Sequence, residues 1–337
     1  MTRLVIDIGS WNTKIYMLGC GVVLSEATCV AVESAKDGQK QAVIKAFGNE
    51  ARALSGKAAH NTRIVNPVCE GEIVHAGLMT ALLSYFLNKV EVTPRKAKST
   101  EVLFVVPCSA TRELRQQYLE VANGCNIGRV YFTRTPYAAV IGHGVTLTST
   151  LPVFCVDVGY GKTDIAAFSL DGIISGFTLN LGGGNIDVHI LDLLSDSFSL
   201  KIGALTAEKL KNTVGSLLED DNKMTVVDGR DNESGAPESV PVNSAQLEDV
   251  IKLYVDKIIE YTRIVLSELP AEVSSAVVHE GIYLSGGLVR MDGFAEYFSQ
   301  KLGINVNSCE EPALATVIGG CTILSSSALC SKLVTVR

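Results

Sequence analysis

Short-range metal and redox motifs are missing from this 337-residue chain. Its nine cysteines, at 20, 29, 69, 108, 125, 155, 309, 321 and 330, are scattered, odd in number and contain no C-x-x-C. That excludes a disulfide framework or zinc ribbon and points to reduced thiols, most of them small core residues. The five histidines never reach H-E-x-x-H spacing, so His75, His143, His189 and His279 read as surface or internally satisfied residues. No apolar run approaches ~18 residues, so no membrane-spanning helix is expected. A first strand already under way at Leu4 leaves no room for a secretory leader, and a soluble, intracellular protein is expected. Basic residues (29) are outnumbered by acidic ones (36), for a net charge of −7, which argues against a nucleic-acid partner. The dinucleotide fingerprint G-x-G-x-x-G is absent. GYGKT at 159–163 invites a P-loop reading, but the earlier glycine that this pattern requires is missing.

What the chain does have is core-forming material and a repeated device. Apolar residues make up 47% and charged ones 19%, and the length suits two domains of roughly 100–200 residues each. Two stretches, LVIDIGSWNTKIY at 4–16 and VFCVDVGYGKTDIAAF at 153–168, share one plan. Each runs from an apolar strand to an aspartate, a small-residue turn and a second apolar strand. One copy alone reads as well as a tight turn in which aspartate is a turn former, but recurrence favours a function. Glycine at the tip lets backbone N–H groups approach an anion, with phosphate the obvious one. Asp7 and Asp157 would repel phosphate unless a cation intervened, so a hydrated Mg²⁺ between them and the phosphates is expected. Two such hairpins facing one another would grip a nucleoside triphosphate.

Between and after them, the remaining segments alternate. After a sheet continuation at 21–33, AKDGQK reads as a polar turn, QAVIKAFG as a strand and NEARALSGK as a helix opening at Asn49, together a small insertion. A helix is expected from HAGLMTALLSYFLNKV, with Leu78, Leu82, Phe86 and Val90 on one stripe. EVTPRKAKST at 91–100 reads as a basic loop, EVLFVVP as a buried strand, and ATRELRQQYLEVANGC as an amphipathic helix ending at Gly124. RVYFT is a strand, and PYAAVIGHG a helix with Pro136 in its first turn. In the second half, three glycines at 182–184 break a strand and precede a helix over 186–194. Thr206 is expected to cap a further helix, 219–243 to be turn-rich with one strand, TVVDG, and 244–269 to be a long helix presenting Leu247, Ile251, Tyr254, Ile258, Tyr261 and Val265. YLSGGLVRMDGF gives a strand, a Gly-Gly turn and a helix start. Duplicated halves of this kind predict an α/β protein with a cleft between two lobes.

The two hairpins together with YLSGGLVRMDGF resemble the phosphate and adenosine motifs of the actin, Hsp70 and sugar-kinase superfamily. Within it, NPVCEGEIVHAGLM, FVVPCSATRELRQQYLEVA, TPYAAVIGHG, LNLGGGNID, LTAEKLK and VDGRDNESGAPESVPV make the chain similar to the bacterial MreB-type actins from end to end. An Hsp70 would be expected to continue past residue ~320 with a further domain. The resemblance implies an actin-like fold: two lobes of duplicated ribonuclease H-like domains around a nucleotide cleft, each with a small inserted subdomain. It divides the chain into IA (1–32, 66–145 and 320–337), IB (33–65), IIA (146–181 and 247–319) and IIB (182–246). For ATP or ADP with Mg²⁺ it implies Asp7 and Asp157 behind the metal's waters, and Gly9, Ser10, Asn12 and Thr13 around the outer phosphates. Gly159, Gly161, Lys162 and Thr163 would form the facing loop, with Gly182, Gly183 and Gly184 near sugar and phosphates. Glu208 and Lys211 would line ribose and base, and Gly286, Gly287 and Leu288 the adenine.

Three departures from the family pattern stand out. Where the family carries a glutamate, or glutamine in actin, that orients the attacking water, this chain has Thr135. A hydroxyl is a much poorer proton acceptor, so slow or absent hydrolysis is expected, with Thr111 or Glu113 as conceivable substitutes. Lys14 stands where the family is usually apolar; it reads either as an exposed strand lysine or as added charge in the phosphate cradle. The amphipathic N-terminal helix or apolar loop that seats such proteins on lipid is not expected here, and Arg95, Lys96 and Lys98 alone would make a weak membrane contact. The resemblance implies head-to-tail self-assembly into filaments for cell shape or wall organisation. It implies a cytoplasmic location, or a peripheral one at the inner membrane through cell-shape partners. A non-hydrolysing scaffold that polymerises weakly is the alternative. A small-molecule kinase would need a general-base aspartate for which no motif is found.

Overall fold

The computed structural model describes residues 2–34 and 42–336, so the expected polar turn AKDGQK lies outside the described residues. Two sheets carry the fold, and their plans match. In the first, Arg3–Ile8, Asn12–Met17 and Gly21–Ala27 form an antiparallel meander, and Glu101–Val106 and Arg129–Arg134 extend it in parallel from Arg3–Ile8. In the second, Val153–Val158, Thr163–Ser169 and Gly172–Leu179 form the meander, and Ile282–Ser285 and Val306–Ser308 extend it. Parallel extension requires crossovers, and helices supply them. Arg112–Gly124 leads into Arg129–Arg134, its first turn capped by Thr111, whose hydroxyl accepts the Leu114 N–H at 3.2 Å.

Each lobe carries a three-stranded insert sheet. One is built on Val30–Glu33 between Val43–Phe47 and Thr62–Val65; the other comprises Leu200–Lys201, Met224–Asp231 and Pro237–Asn243. The second insert corrects the sequence reading, which gave 219–243 one strand. PESVPVN pairs with Met224–Asp231 from Met224 to Arg230 despite its two prolines, because it is an edge strand.

Other local expectations also shift. Pro94–Ala97 is a helical turn rather than a loop: Ala97 is buried in the lobe core while Arg95, Lys96 and Lys98 stay in solvent. Thr206 lies inside the helix Ala204–Val214, whose N-cap is Gly203. The helix Ala76–Lys89 buries Met79, Leu82, Leu83, Phe86 and Leu87, a face rotated from the expected stripe, and Leu78 and Val90 are only half-buried. In Ser244–Ser267 the expected face holds except at Tyr261, which is exposed and meets Phe177 edge-on. The cysteines do not all fill the core: Cys20 and Cys69 are exposed.

The lobes are joined by two crossing helices, Thr135–Gly142 and Ala315–Ser325. A Cβ on Gly142 would lie 2.1 Å from the Ala315 carbonyl oxygen, and one on Gly319 would lie 1.8 Å from that of Ala138. Glycine at both positions is what lets the two backbones touch. No single helix among the described residues is long and apolar enough to cross a membrane. One bent pair, Ala315–Ser325 with Ser327–Leu333, passes by length and composition, and Val317, Ile323, Leu324 and Leu333 of that pair are buried in the inter-lobe core.

Candidate functional site

Strand register decides which hairpin side chains face the cleft between the lobes. Along the first hairpin Asp7 pairs across the strands with Lys14, and along the second Asp157 pairs with Asp164. Because side chains alternate between faces, Lys14 turns toward the cleft and Thr13 away from it. Thr13 is fully buried and shares a 2.9 Å hydrogen bond with Thr28; Thr163, equally buried, donates to the Leu181 carbonyl at 2.7 Å. Neither threonine side chain reaches the cleft.

The tips of the two hairpins meet. Gly161 sits so close to Ser10 that a Cβ there would be 2.8 Å from Ser10 Oγ. Beside this contact Trp11 and Tyr160 stack with centroids 4.3 Å apart, and Arg52 lies 3.9 Å from the Trp11 ring centre while donating to Asn12 Oδ1 at 2.9 Å. Behind the tips opens a cavity of about 500 Å³. Of the residues singled out in the sequence, Asp7, Gly9, Ser10, Asn12, Lys14, Thr135, Asp157, Gly159, Gly161, Lys162, Gly183, Glu208, Lys211, Gly286, Gly287 and Leu288 line it. Gly182 and Gly184 do not, nor do Thr111 and Glu113. The N–H groups of Gly183 and Gly184 bond to the carbonyls of Gly159 (3.0 Å) and Tyr160 (2.8 Å), and Asn185 Oδ1 takes that of Gly182 at 2.9 Å. This helix N-terminus therefore braces the second hairpin and has its first amides already in use. Gly286 needs to be glycine twice over: its φ is +95°, and a Cβ would meet the Val158 carbonyl oxygen at 2.2 Å.

Several contributors are invisible in sequence order. Thr316, from the distant C-terminal helix, donates to Asp7 Oδ2 at 2.7 Å. Asp164 is wholly buried and accepts from the Cys108 N–H at 2.8 Å, from Thr178 Oγ1 at 2.6 Å and from the Lys162 ammonium. Trp11 and Tyr160 were inside the quoted motifs, and an aromatic at the middle of each glycine-rich tip was the available signal. Arg290, Met291 and Asp292 also line the cavity, from the segment after the Gly-Gly turn.

The charges here are coupled. Lys14 Nζ is 3.2 Å from Asp7 Oδ2, each side chain 18% exposed, so Lys14 is a cleft residue rather than a solvated one. Burial alone would raise the Asp7 carboxyl, but Lys14 and the Thr316 hydroxyl outweigh it and hold Asp7 below the usual carboxylate range. For Asp157 burial wins, pushing its carboxyl up to about 6 against the pull of Lys162, with Asp164 and Asp7 adding to the rise. Burial pulls the Lys162 ammonium down, but Asp164 and Asp157 more than compensate, and its pKa is raised.

The residues present fit a hydrated divalent cation between the two hairpin aspartates. Asp157 Oδ1 is buried without a hydrogen-bond partner, which is what a group awaiting a metal's water would show, and on Asp7 Lys14 and Thr316 both take Oδ2. Among the described residues no three His, Cys, Asp or Glu side chains come together to ligate a metal directly.

The MreB/Mbl protein family profile matches residues 1–332. The cell shape-determining protein MreB of Escherichia coli strain K12 is 29% identical over 318 residues, 94% of this chain and 91% of its own length. The cell shape-determining protein Mbl of Bacillus subtilis strain 168 is 29% identical over 315 residues, 93% of either chain. Among solved structures, MreB 5 of Spiroplasma citri bound to AMPPNP superposes with a TM-score of 0.90 at 23% identity, covering 96% of each chain. The MamK double helical filament gives 0.75 at 20% identity, over 96% of this chain and 99% of that one. The fold is actin-like.

Proposed function

The chain belongs to the MreB/Mbl family, and on that premise we propose that it is a nucleotide-binding, actin-like protein that assembles head to tail into filaments serving cell shape. The observation that carries the nucleotide reading is the convergence of both hairpin tips, with Asp157 Oδ1 left unpartnered behind them, on one cavity of about 500 Å³. A relative solved with AMPPNP and another with ADP support it, as a relative solved as a double helical filament supports assembly.

In this reading the tips at Gly9, Ser10, Asn12, Gly159 and Gly161 close on the phosphates of ATP or ADP, the N–H groups of Gly9 and Gly159 being used to tighten their own turns, with Glu208 and Lys211 beside ribose and base. Adenine lies against Gly286, Gly287 and Leu288. Mg²⁺, when bound, neutralises phosphate charge, and Asp7 and Asp157 would hold it through water. Thr13, Thr163, Gly182 and Gly184 support the tips from behind. The division into subdomains IA, IB, IIA and IIB at the boundaries given above is part of the proposal, as is a cytoplasmic location with membrane contact through cell-shape partners.

Hydrolysis is slow at most. Thr135 Oγ1 donates to the Val106 carbonyl at 3.0 Å and accepts the Lys162 ammonium at 3.4 Å, so its proton is spent and the one lone pair left to a water is that of a weakly basic hydroxyl. That engagement also favours the second reading, a nucleotide-bound scaffold that polymerises weakly. Sedimentation and phosphate release, measured on one sample with ATP and Mg²⁺, separate the two. Polymer with little phosphate supports the filament; no polymer under any nucleotide or salt condition leaves the scaffold.

A further inference from the structure

We infer that Arg52 is a positioning residue of the cleft: by holding Trp11 against Tyr160 it ties the two hairpin tips together and slows the release of bound nucleotide. The inference rests on the nucleotide reading above and concerns what keeps the ligand in place.

Arg52 belongs to the short helix Gly48–Ala53 beside the first insert sheet and lies 40 residues on from Asn12, at the tip it serves. Its guanidinium grips that tip twice over. One nitrogen donates to Asn12 Oδ1 at 2.9 Å and another to the Trp11 carbonyl, while the guanidinium carbon sits over the Trp11 ring, 3.9 Å from its centre. A fork that fills two acceptors while its charge covers a ring is what arginine offers and lysine does not. Burial pulls the Arg52 guanidinium below its ordinary pKa, and Glu208 of the other lobe is among the groups that act against the fall.

A matching arrangement stands on the second tip. Lys211, 4% exposed, lies 5.4 Å from the centre of the Tyr160 ring and is held by Asp187 Oδ1 at 2.7 Å and by the Gly183 carbonyl at 2.9 Å. The result is a four-layer ladder, Arg52, Trp11, Tyr160 and Lys211, with the cations outside and the rings inside, 28° from parallel. Ring faces carry partial negative charge, so each cation is drawn to the ring it covers. Both outer layers are fastened by polar contacts within their own lobe. The joint that crosses the cleft is ring on ring, and there the ladder must part when the lobes separate. Trp11, Tyr160 and Lys211 line the cavity, whereas Arg52 acts from outside it. Without Arg52 the Trp11 ring loses the support on its outer face, the joint weakens, and phosphates lying behind the tips are freed sooner.

The test is the release rate of ADP carrying a methylanthraniloyl group on its ribose, chased with excess ADP in Mg²⁺. Acrylamide quenching of Trp11, the only tryptophan in the chain, reads the ladder without nucleotide. R52A is expected to release the probe about 3- to 30-fold faster than wild type, the span of a partly desolvated cation–ring contact with its hydrogen bonds, at an association rate within about 2-fold. Its Trp11 should be quenched more readily. R52K keeps the charge without the fork and should fold where R52A does not; release at least about 2-fold faster than wild type is expected. Y160F keeps the ring and should stay within about 2-fold of wild type. Release and quenching unchanged in R52A and R52K overturn the role of Arg52 and leave the nucleotide reading intact. No binding of the probe by wild type overturns both.

Discussion

The ammonium of Lys162 lies 3.4 Å from Thr135 Oγ1, and one hydrogen bond ties a residue of the second hairpin to the helix that links the lobes. Restoring an acid at this position is the obvious way to seek faster hydrolysis, yet a glutamate there would fall to the neighbouring ammonium before it reached a water. Thr135→Glu alone is therefore expected to raise phosphate release less than about 3-fold, and Thr135→Glu with Lys162→Thr more than about 10-fold, since a positioned base contributes on the order of 10² or more once free. Phosphate release by the single and double variants decides it. A full gain in the single variant would show that Lys162 does not capture the acid.

The stack of Trp11 on Tyr160 joins the two lobes at the cleft mouth, 4.3 Å between centroids. Such pairs contribute about 0.5–1.5 kcal/mol beyond their buried area. Tyr160→Ala should weaken AMPPNP binding about 2- to 10-fold, the range that energy converts to, and should shift Trp11 emission to the red. Unchanged emission and affinity would mean that the stack does not hold the tips together.

Gly142 and Gly319 let the linking helices touch. Gly319→Ala would force a methyl to within 1.8 Å of the Ala138 carbonyl oxygen unless the helices part. Overpacking of this kind costs about 3 kcal/mol, and a fall in Tm on the order of 4 °C is expected. Gly77→Ala, on a helix with nothing within 4 Å of the added carbon, is the control and should leave Tm unchanged or raise it slightly. Equal effects at both sites would refute the close-contact account.

Asp187 supplies a pH signature. It is 2% exposed and 2.7 Å from Lys211 Nζ, an ion pair without a well-aligned hydrogen bond. Burial pushes its carboxyl up to about 6 against the pull of Lys211, with Glu208 adding to the rise and Tyr160 opposing it. An acid that binds its proton more tightly when folded stabilises the fold fully below its unfolded value and loses that contribution as pH rises through about 6. Asp187→Asn, uncharged throughout, should therefore gain less Tm than wild type on going from about pH 7 to about pH 5. Parallel Tm curves for the two proteins would assign the slope to other groups.

Much was legible in the chain itself. Apolar runs long enough for buried strands set both hairpins; aspartate followed by small residues marked their tips; proline in the first turn of Thr135–Gly142 marked a helix start. All of these are local, decided by φ/ψ preference and by which face must be buried. The resemblance then supplied family and cleft together, because its motifs are the cleft. Local preference misled where burial overrode it: Pro94–Ala97 coils because Ala97 has a core to enter, and PESVPVN is a strand because an edge tolerates its prolines.

Only the tertiary structure decided the charges. Whether Lys14 was solvated or turned into the cleft depended on Asp7 being its cross-strand partner. That Asp7 is held below the usual carboxylate range though buried depended on Lys14 and on Thr316, 309 residues away in sequence. That the Thr135 hydroxyl was engaged on both sides depended on Val106 and on Lys162 from the other lobe. Electrostatic state follows distance and burial, which strand register and lobe packing set. Residue identity and spacing named the groups in the cleft, but their partners, and so their chemistry, came from the fold.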